Sequence, residues 1–394
     1  MPLLPALRRK VEDAVDCIKR VGKKTGLQMS KAGWFNRLGG CATLIVLVTT
    51  LAALSGYAFA QKPQLDITRP LSIEIGAKPI TSFDRPGTSR TMYGRLEWRG
   101  GLVLTSTDTN FGGWSGLIMD DNGRRFIAIS DAGTWLSGEL TYTDGRPAGI
   151  TDAKISSLRA IGGKPIGRAR DKDAESITLA AGTLEKGTAL IGFESNHRIG
   201  RFPIVNGELT APTGYLNKPA EAPKLSRNAS FESIAVLKSG RYKDSPIAIA
   251  ERLTNDNGDH TGWIWVGGQP RPFYLSDIDG FDITDLAALP DGNVIVLERR
   301  FRWTEGVKMR LRLLTGTEIV PGARLEGETL FQANISYEID NMESVAVHTN
   351  SRGETIITLL SDNNFNSFLQ RTILLQFALK ATSTASAAPS NRKR

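Results

Sequence analysis

Phe231-Glu232-Ser233-Ile234-Ala235-Val236-Leu237 sets an acid directly ahead of a short apolar run of β-forming residues. The same outline returns at Ala174-Glu175-Ser176-Ile177-Thr178-Leu179, at Thr284-Asp285-Leu286-Ala287-Ala288-Leu289 and at Met342-Glu343-Ser344-Val345-Ala346-Val347. A fifth stretch, Trp114-Ser115-Gly116-Leu117-Ile118-Met119, carries Ser115 where the others carry the acid. With Ser115, Glu175, Glu232, Asp285 and Glu343 taken as one column, the steps are 60, 57, 53 and 58 residues. A repeat of that length points to a stacked or radial architecture.

Each run is followed by a second apolar stretch that ends in another acid: Asp131, Glu194, Glu251, Glu298 and Asp362. From first column to second the spacings are 16, 19, 19, 13 and 19 residues. Turn formers separate the two stretches, as in Asp121-Asn122-Gly123 and Pro290-Asp291-Gly292-Asn293. Further strands follow, such as Gly262-Trp263-Ile264-Trp265-Val266 and Thr372-Ile373-Leu374-Leu375-Gln376-Phe377. Three or four strands per repeat, five times over, predict an all-β chain folded as a β-propeller. The apolar runs lack polar alternation, as strands buried on both faces do; a large β-sandwich is the competing arrangement. Five repeats are visible, and a degenerate sixth blade has room in residues 70–113. Tyr93 to Thr105, with a turn at Gly100-Gly101, is expected to close the ring against the last blade. The organisation expected is a leader over 1–60, a linker or leading strand over 61–80, the propeller over 81–380 and a disordered tail over 381–394.

The chain has 394 residues, 40% hydrophobic and 23% charged, with 40 glycines. This is globular composition with the glycine content of a turn-rich protein. The net charge of +8 is concentrated at the N-terminus, where residues 1–60 hold nine Lys/Arg against three Asp/Glu. The other 334 residues hold 40 against 38, so no basic face is demanded and nucleic acid is not an expected partner. Cys41 to Leu54 is uncharged, follows Lys31 and Arg37, and leads to Ala58-Phe59-Ala60 before Gln61. Basic flank, short apolar core and small-residue exit describe a secretory signal. Periplasmic or secreted residence follows, with no stable membrane insertion once the signal is gone; an uncleaved N-terminal anchor is the alternative. Met29 would begin a tidier signal than Met1. Cys17 and Cys41 are the only cysteines, so the cleaved chain would hold no thiol. Disulfide and thiolate chemistry then falls away, and with three histidines in the chain a multi-histidine metal centre is not expected.

In a propeller, acids recurring at the start of the inner strand ring one end of the central channel. Glu175, Glu232, Asp285 and Glu343 would converge there and repel one another unless a hard cation sits among them. Calcium is the natural occupant, and Asp131 and Asp362 of the second column are added to its ligand set. Turn capping or arginine pairing is the plainer role for the same acids. The second column is followed by cations: Glu194 precedes His197, Glu251 precedes Arg252, and Glu298 precedes Arg299. These six are the candidate catalytic or substrate-gripping residues, for a small anionic or ester substrate, with inter-blade ion pairing as the alternative. Two loops rich in Asn and Asp, 255–260 and 361–366, have the oxygen density for calcium but also the composition of turns. No Gly-x-Ser-x-Gly elbow, Walker loop or dinucleotide fingerprint is present.

Asp-Ala-Glu-Ser-Ile at 173–177, Phe-Glu-Ser-Ile-Ala at 231–235, Asp-Ile-Thr-Asp-Leu-Ala at 282–287, Leu-Glu-Arg at 297–299, Met-Glu-Ser-Val-Ala at 342–346 and Ser-Asp-Asn-Asn-Phe at 361–365 carry a family resemblance. Together with Ile-Ser-Asp at 129–131, they resemble the bacterial phytase-like, or esterase-like activity of phytase, family of exported propellers. The resemblance spans residues 80–380 in outline. It implies a calcium-dependent hydrolase of phosphate or carboxylic esters, with the repeated acids as metal and mouth residues. The alternative is a non-catalytic propeller of the cell envelope that binds a ligand or protein at its mouth.

Overall fold

The computed structural model describes residues 66–225 and 231–381. The leader expected at 1–60, with both cysteines and Ala58-Phe59-Ala60, the first residues of the expected linker, and all but the first residue of the expected tail lie outside the described residues. Among the described residues, no helix is long and apolar enough to cross a membrane.

Strands fold back on their predecessors through tight turns, as Gly123 (φ 73°) and Gly292 (φ 90°) show in the two turns anticipated from sequence. The result is five sheets, each beginning with an inner strand. These inner strands, Trp114–Met119, Ala174–Gly182, Ser233–Val236, Asp282–Ala288 and Asn341–Thr349, lie side by side in that order. The fifth meets the first, so the ring closes as a five-bladed propeller. Trp114–Met119 and Ser233–Val236 are buried at every position, whereas the outer strand Gln269–Leu275 is mostly exposed or half-buried. Five apolar clusters fill the five seams between neighbouring blades. Face-to-face burial on both sides explains why the inner strands read as unbroken apolar runs.

Closure comes from the N-terminal side. Leu96–Thr105 pairs antiparallel with Thr372–Leu379, adding an early strand to the last blade as the sequence suggested. No sixth blade hides in residues 70–113. Leu71–Ser72 edges the first blade, and Gly76–Ile80 joins Leu96–Thr105 in the last. Gly100-Gly101 is not a turn but lies within the closing strand, beside a bulge that shifts the pairing from Gln376↔Gly100 to Phe377↔Trp98. Glycine fits there because Gly100 takes φ 114° and a Cβ on Gly101 would press 2.8 Å from the Leu374 carbonyl. Phe83 locks the closure, packed 5.0 to 5.4 Å from the rings of Tyr93, Trp98, Tyr337 and Phe377.

Strand register corrects the columns in the fourth blade. Ser176 faces Gly192, Ser233 faces Ile249, Ser344 faces Leu360, and Asp285 faces Leu297. Asp285 thus stands in the column of Ser176, Ser233 and Ser344, and Thr284 takes the place of the first acid. Two residues beyond the facing partner lie Asp131, Glu194, Glu251 and Asp362 in four blades, and Arg299 in the fourth. Glu298 is one residue out of column. Adjacent strand positions face opposite sides of a sheet, so each one-residue slip changes where the side chain goes.

A carboxylate mouth with one guanidinium

Asp285 and Glu298 do not reach the mouth. Asp285 is fully buried in the seam between the fourth and fifth blades, where it accepts hydrogen bonds from the backbone N–H of Val345 (2.7 Å) and Leu286 (2.8 Å). Glu298 is sealed inside the fourth blade between Arg310 and Arg312, each 2.5 Å away. Those arginines also donate to the carbonyls of Ile278, Ser276 and Glu326, so the trio braces loops rather than binding substrate.

The remaining acids converge where the inner strands begin. One carboxylate oxygen from each of Asp173, Glu175 and Glu194 lies within 4.8 Å of the others. Asp173 was not singled out from sequence; it ends the short helical turn Ala169–Lys172 directly ahead of Ala174–Gly182, and its place two residues before Glu175 was the only signal. Asp131 is brought up close by Gly113: a Cβ at that glycine, whose φ is 68°, would lie 2.2 Å from Asp131 Oδ1. Burial pushes the Asp131 carboxyl up to about 7, helped by Asp173, and the Glu194 carboxyl up to about 8, again helped by Asp173. Glu175, Glu232 and Asp362 rise well above the usual carboxylate range, first through burial and then through their acidic neighbours. Glu232 stands between Glu194 and Glu251, within hydrogen-bonding reach of both.

The other side of the mouth is partly neutralised. Arg299 sits 3.4 Å from Glu343 and 3.9 Å from Glu251, and donates to Asn341 Oδ1. Arg252 pairs with Glu251 at 2.9 Å and with Asp282 at 2.7 Å. Glu251 is nonetheless raised to about 7, because burial outweighs Arg252. Among the described residues, no lysine or arginine forms an ion pair with Asp131, Asp173, Glu175, Glu194, Glu232 or Asp362. His197 lies in the turn after Glu194 with φ 36°, and burial pulls its pKa down.

A hard cation fits this donor set. Oxygens held about 2.4 Å from a shared Ca²⁺ lie no more than about 5 Å apart, which the Asp173, Glu175 and Glu194 trio meets. The two Asn/Asp loops differ. Asn255 Oδ1 accepts from the N–H groups of Asn257 and Asp259 in a turn, and Asp259 is taken by Arg324 at 2.8 Å. Asp362 does face the mouth, while its neighbour Asn363 accepts from the N–H of Phe365.

Three comparisons bear on kinship. No curated protein matches the chain. A solved structure described as "Structure of Dos1 propeller" aligns over 72% of this chain and 75% of that one, at 9% identity and a TM-score of 0.32. The family model Phytase-like, "Esterase-like activity of phytase", matches residues 109–365, which is more than half of the chain and takes in every mouth residue named above. The chain therefore belongs to the phytase-like family.

Proposed function

We propose that this propeller is exported and hydrolyses phosphate esters at its mouth with the help of calcium. The observation that carries the reading is the division of the mouth: a carboxylate group at Asp173, Glu175 and Glu194, without an ion pair to a lysine or arginine among the described residues, lies across from a side bearing Arg299 and Arg252. Asp173, Glu175 and Glu194 would hold the cation, with Asp131 beside them. When bound, calcium would neutralise phosphoryl oxygens and ease deprotonation of an attacking water. Arg299 contributes a planar donor set suited to a phosphoryl group, and its contacts with Glu343, Glu251 and Asn341 fix its direction. Glu232 is the group placed to accept a proton, since burial and its acidic neighbours make it more basic than an ordinary carboxylate.

The test is release of phosphate from a panel of monoesters and diesters, run beside an acyl-ester panel, with calcium or with chelator. Phosphate release that needs calcium and is lost in Glu175→Gln supports the reading. Acyl-ester cleavage alone would move the activity to carboxylic esters. No turnover on either panel, with calcium still bound, would leave a ligand-binding propeller.

A further inference from the structure

Among the described residues, the most exposed large apolar side chains of the rim stand on one flank of the mouth, with Ile161 exposed on the other. Trp303 and Phe368 are each 93% exposed, with Phe301 and Leu369 beside them in sequence and also exposed. Trp303 tops the hairpin between Val294–Arg302 and Gly306–Leu314, where its ring meets Phe301 edge-on at 5.8 Å. Phe368 and Leu369 lie in the connection between Thr355–Asp362 and Thr372–Leu379. Both connections leave the ends of strands that carry mouth residues, Arg299 and Asp362, so both stand on the mouth end of neighbouring blades. The segment 334–340 joins them. Its exposed Ile335 packs on Gly306 at the base of the hairpin, and its Glu338 pairs with Arg371 at 2.9 Å.

Charge on this flank is consumed internally. Glu305 pairs with Arg300, Arg302 and Lys308, and Arg371 pairs with Glu338 and Asp340. On the opposite flank the equivalent connections end in exposed Asn196, Asp256 and Asn257. An anionic membrane surface or a charged polypeptide would be held by unpaired charge on this flank. A single apolar chain leaving the mouth in one direction needs no such charge. Trp303 is four residues from Arg299, a rise on the order of 10 Å at strand spacing, which suits a chain rather than a small ring.

We infer that the substrate is amphiphilic: an anionic ester whose head enters the mouth and whose apolar chain lies along Phe301, Trp303, Phe368 and Leu369. This assignment rests on the ester-hydrolase reading for the head group, but the chain subsite is read by binding alone. The probes are octyl phosphate, kept below micelle formation, and ethyl phosphate, each titrated into the full chain with calcium. Calorimetry follows both ligands, and tryptophan emission reports on Trp303, because the five other described tryptophans are buried.

Octyl phosphate should bind at least tenfold more tightly than ethyl phosphate and shift the emission to the blue. Trp303→Phe should abolish most of the shift yet keep the affinity. Trp303→Ser with Phe368→Ser should bring octyl phosphate down to the ethyl phosphate level and leave ethyl phosphate unchanged. Both side chains are almost wholly exposed, so the double variant should melt where the wild type does. Equal binding of octyl phosphate by wild type and double variant overturns the assignment, as does failure of either phosphate to bind. Binding to phosphatidylglycerol vesicles without binding of monomeric octyl phosphate also overturns it, and makes the flank a membrane contact. Chain-dependent binding without hydrolysis of any ester would sink the hydrolase reading and leave this one standing.

Discussion

Arg299 stands 3.4 Å from Glu343, at the one blade position where the other four blades carry a carboxylate. Four acids and one guanidinium in this column give the mouth an orientation: among the described residues the acids of the first and second blades form no ion pair with a cation, while Arg252 of the third and Arg299 of the fourth pair with acids on the other side. An arginine in that column reduces the number of mutually repelling charges and aims donors across the opening.

Replacing that guanidinium should separate its two roles. Arg299→Gln should weaken phosphate binding by about ten- to a hundredfold, the order expected for one charge-assisted contact of about 1.5–3 kcal/mol. Arg299→Lys should recover only part of it. Arg299→Glu completes the ring of acids, so its melting temperature in chelator should fall below that of the wild type and its response to calcium should be larger. Thermal melts with and without calcium read this directly, and an Arg299→Glu variant indifferent to calcium would refute the convergence of the column.

The propeller was legible because the buried inner strands leave apolar runs at a regular period, each with its turn and its second strand. The fourth blade was misread for a physical reason. Acid identity aligned Asp285 with Glu232 and Glu298 with Glu251, but pairing register lies in hydrogen bonds between strands and leaves no mark in one dimension. The bulge that omits Ser115, Glu175 and Glu343 from the pairing in the first, second and fifth blades omits Thr284 in the fourth, so Asp285 falls one residue later, in the serine column. Thr284 and Arg299 therefore hold the positions that Asp285 and Glu298 were expected to hold. Asp173 escaped notice since it falls ahead of the apolar run, in the connection that leads into the strand carrying Glu175.

Calcium should raise the melting temperature of the protein. Binding to the native state alone stabilises it by about 2.7 kcal/mol at a hundredfold excess over Kd. Glu175→Gln and Glu194→Gln should each remove most of that gain. In chelator the same variants should be as stable as the wild type or more so, because a buried repelling charge has gone. Calorimetric melts across a calcium titration provide the measurement; equal melting temperatures in calcium and chelator would count against the cation site.

The ion-free protein should lose stability as pH rises. Asp131, Glu194 and Glu251 have folded pKa values raised to between about 7 and 8, so the native state binds more protons than the unfolded chain above the ordinary carboxylate range. The stabilisation is complete below the unfolded pKa and drains as pH climbs through the folded values. His348, pulled down to about 4 by burial, acts in the opposite sense below 6.5. Between pH 6.5 and 8.5 the carboxyls therefore dominate. In chelator the melting temperature should fall across that window, and calcium should flatten the slope. A slope that is the same in calcium and chelator would show that these acids do not share an ion.

Glu298 provides the contrast between a structural acid and a mouth acid. It is wholly buried with Arg310 and Arg312, two cations on one anion, and the arginines' remaining donors are largely spent on loop carbonyls. Neutralising it leaves two buried guanidinium groups facing each other, with only the exposed Asp279, 3.9 Å from Arg310, as counter-charge. Breaking a buried pair from one side costs about 3–5 kcal/mol, so Glu298→Gln should lower stability by that order in both calcium and chelator. Because the carboxylate does not reach the mouth, the increment in melting temperature on adding calcium should stay as in the wild type. Phosphate release by the folded fraction should stay within twofold. Glu194→Gln should show the reverse pattern, with little loss in chelator and most of the calcium increment gone. A Glu298→Gln protein that keeps its stability but loses its calcium response would return that residue to the mouth and restore the column as first aligned.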